Sequence, residues 1–146
     1  MPHGRLSLVG LALFAVGSAC SSGDAAAVDR TLDGTWVVTE IDGQPIVSGE
    51  NTEVVPFLEI DAGEAVGSFG CNSGAASLVV DGDVLDVVEA GSEDEACASV
   101  TVSFAENAIS EVLATRRIGL TLEDGRMVWV AAGRQIILTE AAEPPP

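Results

Sequence analysis

The chain has no lysine and no tyrosine, and its one histidine, His3, lies at the extreme N-terminus. The remainder therefore has no imidazole, the usual side chain for general acid–base work near neutral pH. Ser-His-Asp, Cys-His and Ser-Lys nucleophile systems cannot be assembled. A Schiff-base lysine is missing, and histidine-based metal hydrolysis is excluded. Carboxylate chemistry of the glycosidase kind remains, yet among 23 acidic residues spacing singles out no pair. These absences point to a protein that is not an enzyme and carries no cofactor and no metal.

Positive charge is equally scarce. Six arginines stand against the 23 acids, a formal net charge of −17. Such a surface repels phosphate backbones and anionic headgroups, so nucleic acid is excluded as a partner. The acid favours a basic partner or serves solubility.

The opening MPHGRLSLVGLALFAVGSAC has one charge, Arg5, followed by an uncharged apolar or small run from Leu6 to Ala19. As a helix that run would span about 21 Å, short of the roughly 30 Å hydrocarbon core. It reads as a signal-peptide core over residues 1–19. Small residues before Cys20 resemble the bacterial lipobox, with Gly17 where a bulky aliphatic is usual. The expectation is cleavage before Cys20 and a diacylglycerol thioether on it; an ordinary cleaved signal is the alternative. Lipid at Cys20 would hold the chain on the outer face of the cell membrane, or on a periplasmic leaflet. Loss of Arg5 leaves five cations against 23 carboxylates, a formal −18 on about 126 residues, enough for one domain with a core.

Three cysteines are an odd number for an exported protein. If Cys20 carries lipid, Cys71 and Cys97 remain, and an oxidising compartment favours a disulfide between them. Two free buried thiols are the alternative.

Ser21 to Arg30 is small, polar and unpatterned, a flexible tether over residues 20–30. The folded domain is expected over residues 31–140, with a disordered tail at 141–146. Strands are expected at Leu32–Ile41, Val54–Asp61, Glu64–Phe69, Ser77–Val80, Val84–Val88, Ile118–Leu122, Met127–Ala131 and Gln135–Thr139, with a short edge strand or loop at Pro45. In the first, Trp36 and Val38 share a face with Glu40, and Val37, Thr39 and Ile41 share the other. Asp42-Gly43, Ala62-Gly63, Asp81-Gly82-Asp83, Asp124-Gly125 and Ala132-Gly133 read as turns. Ala90–Ala96 reads as an acidic loop. A helix is expected from Ser103 to Thr115, with Ser103 and Glu106 at capping-box spacing and Arg116-Arg117 at its negative end. The fold class is mainly β: a small antiparallel β-barrel, or a strongly curved sheet, with one α-helix.

Leu32-Asp33-Gly34-Thr35-Trp36 followed by Ile41-Asp42-Gly43-Gln44-Pro45 resembles the opening of the META domain, the HslJ-like family. Gly67-Ser68-Phe69-Gly70-Cys71-Asn72 resembles its Gly-Cys-Asn motif, and Ala96-Cys97 its second Ala-Cys. The resemblance spans about Thr31 to Thr139. Ser73-Gly74-Ala75-Ala76 replaces the family's glycine-aromatic step, and Glu95 stands where many members have Met. The resemblance implies an antiparallel β fold with one helix, often found in envelope lipoproteins linked to stress or antibiotic tolerance, and no catalytic residues. Gly34, Trp36, Gly70, Cys71 and Asn72 are expected to be structural. Gly70 would permit a tight turn and Asn72 would bond local backbone or take positive φ. Trp36 and Trp129 are read as core rather than sugar platforms, with Phe57, Phe69 and Phe104.

Three functions remain in view. The first is a non-catalytic, membrane-tethered envelope lipoprotein, a monomer that meets an envelope protein or wall component or supports stress tolerance. The second is an inhibitor of an envelope-directed hydrolase, a lysozyme or protease, through a contact loop holding Glu89, Glu93, Asp94 and Glu95. The third is a carboxylate-only glycosidase.

Overall fold

The computed structural model describes residues 32–46, 55–96 and 100–145; Cys20 and the signal and tether positions, like Cys97, lie outside them. Among the described residues, nine antiparallel strands and one helix follow in the order β1 (Gly34–Ile41), β2 (Gln44–Pro45), β3 (Phe57–Asp61), β4 (Glu64–Ser68), β5 (Ser73–Asp81), β6 (Val84–Ser92), α1 (Val100–Ala114), β7 (Arg117–Glu123), β8 (Arg126–Ala131) and β9 (Arg134–Ala141). Each strand from β3 onward pairs with the next, and β1 joins β3 on one side and β9 on the other. The ring is thus an eight-stranded barrel, with β2 as a short spur on β1. Closure gives every strand of the ring a neighbour on each side along at least part of its length.

Alternation decides what the barrel encloses. In β3, Leu58 and Ile60 are buried and Glu59 and Asp61 exposed. Trp36, Val38, Leu85, Ile118, Met127, Trp129, Ile136 and Leu138 are among the other core residues, each contributing about 1.5–3 kcal/mol by leaving water. The β1–β2, β3–β4, β7–β8 and β8–β9 hairpins turn through paired positive-φ residues, such as Asp42 (φ 51°) with Gly43 (φ 77°). That is the turn whose twist matches the flanking strands.

Strict alternation fails at two bulges. In β1 the register slips between Val38 and Glu40. The extra residue returns Ile41 to the inner face, fully buried beside Trp36 and Val38. This corrects the expectation that Ile41 faces away from them, because a bulge resets the period of two. In β6 the second slip leaves Val88 unopposed: Ser77 faces Glu89 and Leu78 faces Val87.

Three expected boundaries move. β5 starts at Ser73, and β6 continues through Ala90, Gly91 and Ser92 rather than breaking into a loop at Ala90. These stretches are alanine, glycine and serine, which carry little strand signal; cross-strand pairing defines them. The helix begins at Val100, so Ser103 lies inside its first turns instead of capping them. Buried Val102, Ala105, Ala108, Ile109, Val112 and Leu113 form the face that α1 lays against β6–β9. No helix among the described residues is long and apolar enough to cross a membrane.

Candidate functional site

The Gly-Cys-Asn corner between β4 and β5 is where three parts of the chain converge. The turn closes on itself: Ser68 Oγ donates to the Gly70 carbonyl at 2.8 Å, and the Phe69 N–H donates to the Asn72 carbonyl at 3.0 Å. Gly70 sits against α1. A Cβ there would lie 2.9 Å from the Val102 carbonyl oxygen and 3.1 Å from Glu106 Cβ, so the helix approaches only because the side chain is absent.

Asn72 is 1% exposed, the one buried polar or charged residue among those described. Its amide imitates a strand: Oδ1 accepts the Glu95 N–H at 2.9 Å, and Nδ2 donates to the Glu95 carbonyl at 3.0 Å. Nδ2 also donates to Glu106 Oε1, and the Asn72 main-chain N–H donates to Glu106 Oε2 at 3.1 Å. One side chain thereby holds the 93–96 segment and α1 to the barrel. Burial is tolerable because every polar group of the amide is bonded. Of the roles expected for Asn72, backbone bonding is the one observed; its partner is 23 residues away rather than local. Glu106, read from spacing as half of a capping box, serves this junction.

The Cys71 sulfur lies 3.5 Å from Glu106 Oε2 and 3.7 Å from the Glu95 carbonyl oxygen.

The other motif residues take structural positions. The Trp36 indole is 2% exposed and donates from Nε1 to the Leu32 carbonyl at 2.7 Å. Gly34 adopts φ 144° at the head of β1. Trp129 is 1% exposed, and its Nε1 has no hydrogen-bond partner among the described residues. Neither indole offers a face for stacking on a sugar. Phe69 is core, and Phe104 packs against the core beneath the Arg134 guanidinium at 5.7 Å. Phe57 instead stands half-buried outside the core cluster.

Of the expected contact loop, Glu89 lies in β6 and is exposed, as are Glu93, Asp94 and Glu95. The segment is nonetheless pinned, by Glu95 on Asn72 and by Glu93 Oε2 accepting the Ser73 N–H at 3.3 Å. Glu89 and Glu93 line a wide concavity across β3–β6, of about 1140 Å³, with Glu59 and Glu64 on its far side. Gly67, Ala75 and Gly91 lie in its floor. A Cβ on Gly67 would overlap the Phe57 carbonyl, so the strands approach closely there. Composition gave no warning of this basin; the small residues that shape it fall on three strands.

At the β1–β2 turn, Arg134 donates from Nη1 to Asp42 Oδ2 at 2.7 Å and from Nε to Glu111 Oε2 at 2.9 Å. The Gln135 N–H donates to Asp42 Oδ1 at 2.8 Å. That main-chain bond, with the guanidinium second, holds the Asp42 carboxyl below its usual range; the two carboxylates raise Arg134. Among the described residues, no three of His, Cys, Asp or Glu are grouped to hold a metal ion.

Comparison with known proteins agrees with this geometry. A family model for the META domain matches residues 29–143. Two NMR structures share the fold. One aligns at 19% identity with a TM-score of 0.66, over 78% of this chain and 95% of its own. The other, a protein from Burkholderia xenovorans, aligns at 19% identity with a TM-score of 0.62, over 97% and 99%. No curated protein matches the chain. With the family model spanning most of the chain and an eight-stranded antiparallel barrel with one helix beneath it, the chain belongs to the META domain family.

Proposed function

We propose that this chain is an exported lipoprotein, anchored through Cys20, whose META domain is a non-catalytic partner-binding module of the envelope with a role in stress tolerance. The observation that carries the reading is how the motif residues are spent. Asn72 and Glu106 are bonded to each other and to main chain, and both tryptophans are buried. Ser77 Oγ donates to Glu64 Oε2 at 2.9 Å beside the basin, but the chain has no lysine and no histidine beyond His3 to complete a nucleophile system around it. What is left at the surface is shape and negative charge, which suit recognition.

In the same reading Cys71 pairs with Cys97 in a disulfide. The Cys71 sulfur is 3.7 Å from the carbonyl of Glu95, two residues before Cys97, within easy reach of such a bond. Closing that loop contributes about 3 kcal/mol in the chain-entropy model. Inhibition of a cationic wall hydrolase is the second reading, favoured by the pinned segment around Glu93 and Glu95.

Mass spectrometry of the protein from membranes tests the anchor and the pair together. The expected result is a diacylglyceryl Cys20 at a new N-terminus and a Cys71–Cys97 linked peptide. An unmodified residue 20, or alkylation of both other thiols in native protein, overturns it. Titration against lysozymes and secreted proteases separates the second reading: no inhibition at micromolar protein removes it.

A further inference from the structure

The seam between β6 and β7 covers only part of the length of β6. β6 pairs with β7 only through Val84, Leu85 and Asp86, and Val87 adds one bond from its N–H to the Arg116 carbonyl at 2.9 Å. Its pairing with β5 runs on to Ser92. The parity of the β5–β6 ladder follows from the Glu93 N–H, which donates to the Ser73 carbonyl at 3.1 Å. Glu89 and Gly91 therefore bond to β5, and the main-chain N–H and C=O of Ala90 and Ser92 point the other way. Those groups have no partner among the described residues. An unpaired edge is a template for another strand.

Both faces of this edge have character. On the inner side it meets α1 across a pocket of about 180 Å³, lined by Phe69, Ser110, Leu113, Ala114 and Arg116, room for one apolar side chain. The Arg116 guanidinium is committed to the mouth, where Nη1 donates to the Val88 carbonyl at 2.9 Å. On the outer side Glu89 and Glu93 flank Gly91 at the margin of the large basin. A strand laid on the edge would send alternate side chains to these two surfaces.

We propose that the Ala90–Ser92 edge of β6 takes an extended peptide as an added strand, with basic residues beside Glu89 and Glu93 and an apolar residue in the pocket under α1. Main-chain bonds supply the affinity and the two flanking surfaces the selectivity. The net charge of −17 draws such a segment in. This inference rests on the partner-binding reading.

The test uses the full-length protein in detergent micelles and a synthetic peptide of about ten residues alternating arginine and valine, long enough for one strand. Saturable binding is expected, with the amides of Ala90 and Ser92 gaining protection from hydrogen exchange. A peptide alternating glutamate and valine should not bind. Ala90→Pro removes one edge donor and no β5 bond, and should weaken binding about five- to tenfold. Ala114→Trp fills the pocket from the helix side and should also weaken it, which guards against a misfolded proline variant. Glu89→Gln with Glu93→Gln should weaken it and flatten its salt dependence. No binding at millimolar peptide overturns the inference, as does binding that neither wall variant changes. A native partner crosslinked equally well by wild type and Ala90→Pro would overturn the edge site while leaving the partner-binding function standing.

Discussion

Asn72 and Glu106 meet twice: the Asn72 main-chain N–H donates to Oε2 at 3.1 Å, and its side-chain Nδ2 donates to Oε1. Asn72→Ala strands the Glu95 N–H and removes the Nδ2 donor to Glu106 Oε1, and should destabilise the domain by about 2–3 kcal/mol. Asn72→Asp is expected to be worse, about 3–5 kcal/mol at neutral pH, because it sets one carboxylate against another in a buried place. Urea unfolding followed by tryptophan fluorescence measures both, and equal losses would mean that the charge is relieved by solvent.

Gly74 lies under the ring of Phe69, where a Cβ would overlap the Cε2 and Cζ atoms. Gly74→Ala should cost about 1–3 kcal/mol through overpacking. Adding Phe69→Leu should recover part of that loss, giving a coupling energy of about 1 kcal/mol in a double-mutant cycle. Strict additivity would show that the strand simply shifts away.

The two buried indoles should respond differently to phenylalanine. Trp36→Phe loses the 2.7 Å bond to Leu32 as well as volume, and is expected to cost about 2–3 kcal/mol. Trp129→Phe loses volume but also removes an unbonded buried donor, so its cost should be lower by about 1 kcal/mol. Thermal denaturation of the pair reads the difference directly.

The Asp42 carboxyl is held below the usual carboxylate range, chiefly by the Gln135 N–H and then by Arg134. A group depressed in the folded state contributes stability above its unfolded pKa and loses it as pH falls through the folded one. Asp42→Asn keeps a residue tolerant of the φ of 51° and should lower stability by about 0.5–1 kcal/mol near neutral pH, the modest figure reflecting exposure. The gap to wild type should close as the solution is acidified below about pH 4. A gap independent of pH would mean that the ion pair contributes nothing and that packing alone was disturbed.

Local chemistry made much of this fold legible. Asp42-Gly43, Asp124-Gly125 and Ala132-Gly133 announce hairpins because the turn needs consecutive positive φ values, and all three adopt them. Alternation in Phe57–Asp61 and the apolar stripe of α1 likewise declared their faces. The bulges at Thr39 and Val88 left no such trace, since a bulge is set by the partner strand. The strand identity of Ala90–Ser92 was hidden because small residues fit a loop equally well. The site was half visible: the Gly-Cys-Asn motif stood out, but Glu95 and Glu106 are chosen by tertiary geometry 23 and 34 residues away.

Barrel closure between β1 and β9, from Thr35 opposite Ala141 to Ile41 opposite Ile136, sets the timing of folding. The first long strand must wait for the last one to be synthesised before its second side is satisfied. Such distant pairing slows acquisition of structure, and a nascent chain truncated before Arg134 has no means of completing its wall. An unfinished chain of that kind stays threadable for as long as it is being made, which is the condition in which a polypeptide passes through a narrow translocation channel.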